Sequence, residues 1–400
     1  MRLAGRLPAP LLAVLCGVAF ADLLLWLAIL PVLPRWEREF GFGTQGAGLV
    51  LAAYSASLLI ASVPAGHLAD RVGTKRVTIA ATVALAATAP ALALADSTWE
   101  LIAARGLQGL AAAVSWSAGL AWLLSATPAN RQTRALATVN GSATAATLAG
   151  PLVGGPLVSW IGFGPTMWVF AALVGALALI AAAMPGTQPG APKEGAPSLL
   201  AAARMAARSR YLRVAYVAMA FVAVAAAAGQ LLVPLRLGRE GLSGAEIGWI
   251  LTGTAAVALG ETIVLARLGD RINQVRTILL AMVAVTATLA ALSIGLGLGG
   301  LIVLLTLLQA ATLPIFVLAY PVCVNGAAQS RIGSAVALGA LNAVWAGGSL
   351  AAPLALGALA SGVGDGAAYG AAAALGVLSL ALVWVSRTRT PLPDARAPAQ

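Results

Sequence analysis

The feature that most constrains this chain is a series of apolar stretches, each about 20 residues long, recurring along nearly its whole length. Wound as a helix, a stretch of that length matches the ~30 Å hydrocarbon core of a bilayer. No water is available there to satisfy backbone amides and carbonyls, so helices are the expected spanning elements. Boundaries set by Pro, Gly or charge predict twelve helices, over 11–33, 45–66, 77–95, 99–124, 133–160, 163–184, 211–235, 244–266, 277–297, 300–326, 332–358 and 365–386. With 60% of residues hydrophobic and 9% charged, a water-soluble domain is excluded and an all-α integral membrane fold is expected.

The net charge of +11 raises nucleic acid as a partner, and the placement of the cations rejects it. Twelve spans put both termini on one side. That side receives Arg2, Arg6, Arg71, Lys75, Arg76, Arg131, Arg134, Lys193, Arg204, Arg208, Arg210, Arg213, Arg267, Arg271, Arg276, Arg331, Arg387, Arg389 and Arg396. The opposite loops hold Arg35, Arg38, Arg236 and Arg239, and Arg105 alone lies within a span. The asymmetry places both termini in the cytoplasm of a cell whose inner membrane holds the protein. Arg2, Arg6 and Ala19-Phe20-Ala21 imitate a secretory signal, but the apolar run continues through Leu23–Leu33, so retention of this segment is expected.

Pro185-Gly186-Thr187-Gln188-Pro189-Gly190-Ala191-Pro192 reads as a flexible linker. It divides the chain into a six-helix bundle over 1–184, a cytoplasmic linker over 185–210, a second six-helix bundle over 211–388 and a tail over 389–400. Within the linker, Leu199, Leu200, Arg204, Met205 and Arg208 suit either a short amphipathic helix on the membrane surface or a solvated loop. The two bundles echo each other at an offset near 200. Leu68-Ala69-Asp70-Arg71-Val72 matches Leu268-Gly269-Asp270-Arg271-Ile272, Leu107-Gln108 matches Leu308-Gln309, and Ala135-Leu136-Ala137 matches Ala335-Val336-Ala337. Two parallel six-helix repeats suit a carrier whose halves rock around a site between them.

Gly66-His67-Leu68-Ala69-Asp70-Arg71-Val72-Gly73-Thr74-Lys75-Arg76 joins helices 2 and 3. Its glycines permit a tight turn, Asp70 can cap or pair at a helix end, and its cations can anchor to anionic lipid. The segment resembles the signature loop of the major facilitator superfamily, departing from it at Thr74 and Thr78. The acid that the family often places after helix 4 is missing from Ser125-Ala126-Thr127-Pro128-Ala129-Asn130. Leu101, Arg105, Gly106, Leu107, Gln108 and Gly109 resemble the family's helix 4 motif, whose arginine is associated with proton movement in exporters. An arginine within a span is costly unless it pairs or reaches water. Arg105 therefore serves either coupling or gating, or as a structural anchor snorkelling to the outer interface. Gly150-Pro151-Leu152-Val153-Gly154-Gly155 resembles the motif of the antiporter branch, which implies export. Its proline bends helix 5 and its glycines permit close helix approach.

Asp22, with Pro31 and Pro34 beyond it, resembles helix 1 of drug and vesicular amine antiporters. A carboxylate in the middle of a span is costly to ionise, which makes Asp22 a candidate proton or cation site. Glu261 is the second intramembrane acid and either pairs near Arg267 or shares in coupling. Asp22, Trp26, Gln108, Trp116, Gln230, Gln309, Asn325, Asn342 and Trp345 are candidates for an amphipathic cavity. Gating falls to Gly66, Asp70, Arg71, Gly73, Lys75, Gly150, Pro151, Gly154, Gly155, Asp270 and Arg271.

A single histidine, His67, and two cysteines in apolar segments, Cys16 and Cys323, give no metal cluster and no nucleophile with a base, so neither an enzyme nor a cofactor is expected. The resulting expectation is a monomeric secondary transporter exporting a small amphipathic or cationic solute against protons, with membrane lipid around it and no nucleic acid partner. Its rivals are an importer or metabolite exporter of the same fold, and a non-transporting membrane receptor.

Overall fold

A computed structural model describes residues 9–186, 204, 209–268, 272–330 and 332–385. Numbered by their spans, the helices are α1 (Ala9–Ala28), α2 (Gly43–Val72), α3 (Thr74–Ala93), α4 (Thr98–Ala126) and α5 (Gln132–Leu152), the last continuing through a π turn at Val153–Leu157 into Val158–Ile161. They are followed by α6 (Phe163–Ala183) and α7 (Arg210–Ala227), the latter extended by a π turn at Ala228–Leu232 and by Val233–Arg239. Then come α8 (Gly244–Leu268), α9 (Gln274–Ser293), α10 (Leu298–Gln329), α11 (Ser334–Val363) and α12 (Asp365–Val385). Eleven of these stretches are long and apolar enough to cross a membrane, and α8 adds a helix of 25 residues. The chain is a multi-pass membrane protein. Its outer surface carries exposed Ile60, Leu179 and Leu378, with Trp99 and Trp160 near helix ends, as lipid and its interface require.

Local chemistry sets most boundaries. Ser97 accepts a hydrogen bond from the Glu100 amide at the start of α4, and Ser243 and Glu246 form a reciprocal capping box at the start of α8. Both are Ser-x-x-Glu in sequence. Prolines mark two interruptions within the expected spans. Helix 1 ends at Ala28 rather than 33, and a separate helix, Leu33–Phe40, starts with Pro34 in its first turn. The π turn in α5 contains Pro156 and follows Pro151, neither of which has an amide hydrogen to continue the regular ladder.

The signature segment also differs from expectation. Residues 66–72 are the last turns of α2, not a loop, and the reversal falls on Gly73 at φ 100°. Gly66 is therefore helical, and Gly73 alone supplies the backbone freedom that the turn demands.

Within the first six helices, α2 packs on α4, α1 on α5, and α3 on α4 and α6. Among the last six, α9 packs on α10 and α12, and α7 on α10 and α11. The main contacts between the two sets are α2 with α11 and α5 with α8. Adding six to one member of a pair and subtracting six from the other converts the first contact into the second. The repeat seen in sequence thus reappears as one interface used twice.

Candidate functional site

Asp22 lies on α1 with its side chain fully enclosed. Its Oδ2 accepts two hydrogen bonds, from the Tyr54 hydroxyl on α2 and from the Trp116 indole on α4, each 3.0 Å long. Arg105, also on α4, sits over two rings at once, 4.6 Å from the centroid of Trp26 and 5.2 Å from that of Tyr54. Its Nη1 donates to Gln108 Oε1, and the rings of Trp26 and Tyr54 lie 4.4 Å apart. Three helices of the first half therefore bring one acid, one guanidinium, one amide and three aromatics into a single buried cluster.

Of the two readings of Arg105, an anchor snorkelling to the outer interface does not fit a side chain that is 0% exposed. Aromatic faces take the place of water around it, and a cation desolvated against two rings gains more from them than an exposed one. Asp22 Oδ1, Arg105 Nε and Nη2, and Gln108 Nε2 have no hydrogen-bond partner among the described residues. Since both donors to Asp22 converge on Oδ2, Oδ1 is the oxygen with capacity for a proton.

The glycines of the α5 motif mark where helices touch. A Cβ on Gly150 would lie 2.5 Å from that of Leu27, and one on Gly154 would collide with the Ala28 carbonyl, so both seat α5 against α1. Gly155 faces the other half, where its Cβ would lie 2.7 Å from the Cα of Gly248. The equivalent α2–α11 contact has Gly357, whose Cβ would meet the Thr44 carbonyl at 2.9 Å. At that same end, Arg239 of α7 donates to Glu37 (2.6 Å) and Thr44 (2.6 Å) across the halves and to Asp365 (3.0 Å) within its own half. The Gln45 amide donates to Ser361, also across the halves.

Sequence reading thus named Asp22, Trp26, Arg105, Gln108 and Trp116, which the fold gathers, but missed Tyr54, Glu37, Thr44 and Asp365. Tyr54 carried a usable signal, a lone tyrosine in an alanine-rich span. The clamp did not, because its members lie up to 328 positions apart.

Other candidates stay apart from the cluster. Glu261 is half-buried on α8, Gln230 sits in the π turn of α7, Gln309 is half-buried on α10, and Asn325 is exposed. Asn342 accepts from the Tyr320 hydroxyl at 3.1 Å, and Trp345 meets Phe316 edge to face. Asp70 is half-buried and Arg71 exposed in the final turn of α2. Lys75 caps α6 by donating to the Ala182 and Met184 carbonyls, a protein contact where lipid was expected. Asp270, Arg271 and most of the linker lie outside the described residues. Cys16 and Cys323 are free, and no cluster of metal-ligating side chains occurs among the described residues.

A model of the Major Facilitator Superfamily matches residues 15–336. The multidrug resistance protein MdtG of Yersinia enterocolitica is 30% identical over 168 residues, 40% of this chain and 38% of that protein. The tetracenomycin C resistance and export protein of Streptomyces glaucescens is 27% identical over 183 residues, 44% of this chain and 34% of that protein. The chain spans roughly a third of the length of the curated relatives it matches. Among solved structures, a bacterial homologue of the human lysosomal transporter Spinster in an inward-facing, unoccupied conformation aligns with TM-score 0.76 at 16% identity, covering 99% of this chain and 100% of that one. That likeness is one of fold.

Proposed function

This chain belongs to the Major Facilitator Superfamily, and from that premise we propose that it exports a small amphipathic or cationic solute in exchange for protons. It is a transporter and not an enzyme. The observation that carries the coupling is Asp22, enclosed in the first half yet held by Tyr54 and Trp116 beside Arg105. Burial favours the neutral acid, while the two donors and the nearby guanidinium favour the carboxylate. A small change in hydration, such as a rocking motion delivers, can then load or release a proton at Oδ1. Export as the direction is supported by Gly150, Pro151, Gly154 and Gly155 and by the two relatives named for drug resistance and antibiotic export.

In this reading residues 1–184 and 211–388 are the two moving bodies, joined by a cytoplasmic linker, in an inner membrane with both termini inside. Glycine contacts and the Arg239 clamp close the outer end, and Gly66, Asp70, Arg71, Gly73, Lys75, Asp270 and Arg271 bias the inner one. Everted vesicles from an overexpressing strain, energised by respiration, should release protons when an exported solute is added. A solute panel taken up into these vesicles without any proton flux would overturn the coupling.

Replacing Arg239 by Gln should weaken outer closure. The pairs are partly exposed, with the arginine side chain at 42%, so the clamp is expected to contribute about 1 kcal/mol. That is roughly a fivefold shift toward the outward-open state. The shift should shrink in wild type as salt is raised from ~0.01 to ~1 M. Cysteine labelling at the outer end measures both, and a salt-insensitive wild type would remove the clamp from the gating scheme.

A further inference from the structure

The second half contains a ring cluster that the Asp22 chemistry does not use. Phe316 and Tyr320 of α10 lie edge to face, 5.7 Å between centroids and 70° between planes, and Phe316 meets Trp345 of α11 at 5.1 Å and 70°. The Tyr320 hydroxyl donates to Asn342 Oδ1, leaving the Asn342 amide nitrogen as a donor. All three rings are partly exposed and Asn342 is exposed.

Two arguments place the cluster toward an aqueous interior rather than toward lipid. Val303 and Leu307, 58% and 51% exposed, mark the lipid face of α10. Phe316 and Tyr320 each follow one of them by thirteen residues, a turn of about 140° away at ~100° per residue. An exposed amide eight residues into α11 would be stranded at membrane depth if it met hydrocarbon, so Asn342 requires water beside it.

We propose that Phe316, Tyr320, Asn342 and Trp345 form a solute subsite for an uncharged, planar aromatic group bearing a hydrogen-bond acceptor. Neither α10 nor α11 contains a charged residue. A cation there would gain ring contacts but no counter-ion for the hydration it gives up, whereas a neutral ring loses only apolar hydration and gains offset or edge contacts. Asn342 Nδ2 supplies orientation by donating to a carbonyl at the edge of the ring. The subsite rests on the transporter reading but not on proton coupling, since it lies on helices remote in sequence from Asp22.

Binding of tritiated 9-fluorenone, a planar neutral ketone, to the purified full-length protein tests the assignment, with excess unlabelled ketone separating saturable binding from micelle partition. Saturable binding is expected, weakened tenfold or more by Trp345→Ala and Phe316→Ala but less than threefold by Trp345→Phe. Asn342→Ala should weaken fluorenone about tenfold and leave fluorene, which lacks the carbonyl, unchanged; this difference survives any general loss of folded protein. Binding in detergent involves no proton gradient, so a failure of proton coupling in vesicles and a failure of the subsite give different results. Absence of saturable binding, insensitivity to both ring deletions, or stronger competition by the planar cation N-methylacridinium than by fluorenone would overturn the proposal.

Discussion

Asp22→Asn should abolish uphill transport while leaving the protein expressed and folded. Asparagine keeps the size of the side chain, and its amide oxygen still accepts from Tyr54 and Trp116. It cannot titrate. A proton entering down ~100 mV and one pH unit releases about 3.7 kcal/mol, from roughly 2.3 kcal/mol for the potential and 1.4 kcal/mol for the gradient. One-to-one exchange with a neutral solute can sustain a gradient of about 500-fold on that energy. The variant should equilibrate solute to a ratio near one and still exchange it passively. Measurement in proteoliposomes with an imposed pH gradient decides the matter. Uphill transport by Asp22→Asn would move the coupling site elsewhere, with Glu261 as the next residue to test.

Substitutions at adjacent glycines should separate two properties that are usually confounded. Gly155 packs against Gly244 and Gly248 of the opposite half, whereas Gly154 packs against Ala28 of its own. Valine at 155 should obstruct closure of the outer end without disturbing the first bundle. Overpacking costs about 1–3 kcal/mol, which shifts the equilibrium between conformers by roughly 5- to 150-fold. Transport should fall accordingly at unchanged thermal stability, and spin labels at Arg35 and Gly362 should move apart. Valine at 154 should instead lower stability and yield, because α1 and α5 cannot separate to make room. Equal stability losses for both variants would mean that the α5–α8 contact is part of the folded core and not a gate.

The fold was largely legible because its dominant cause, the length and spacing of apolar stretches, is a local property of sequence. The same holds for the starts of α4 and α8, expected at 99 and 244 and observed at Thr98 and Gly244. Where sequence misled, it was at the ends of long helices: α1 stops at Ala28, ahead of Pro31, and α2 runs on to Val72. The candidate site divides in the same way. Asp22 and Arg105 stand out because charge within a span is expensive. Trp116 was named only as a cavity candidate and Tyr54 not at all, and it is the meeting of α1, α2 and α4 that gives them an acid to hold. The choice between the two readings of Arg105 was open for the same reason, since only three-dimensional packing reveals two rings beneath a guanidinium. Glu37 and Asp365 were unreadable as partners because nothing local links them to Arg239.

The arrangement around Arg239 bears on speed. Its guanidinium holds Glu37 of the first half and Asp365 of its own half at the same time. In the proposed cycle, Arg239 would leave with Asp365 still attached as the outer end parts, so the cation would keep a counter-ion throughout the passage. Glu37 and Thr44 are the groups released, and Glu37 would be released toward water, where an isolated carboxylate is well solvated. A clasp in which one partner travels with the cation therefore adds little to the activation barrier in either direction. It can favour the shut form at rest and still be crossed many times a second, a division between resting bias and passage rate that two independent ion pairs of the same total strength would not provide.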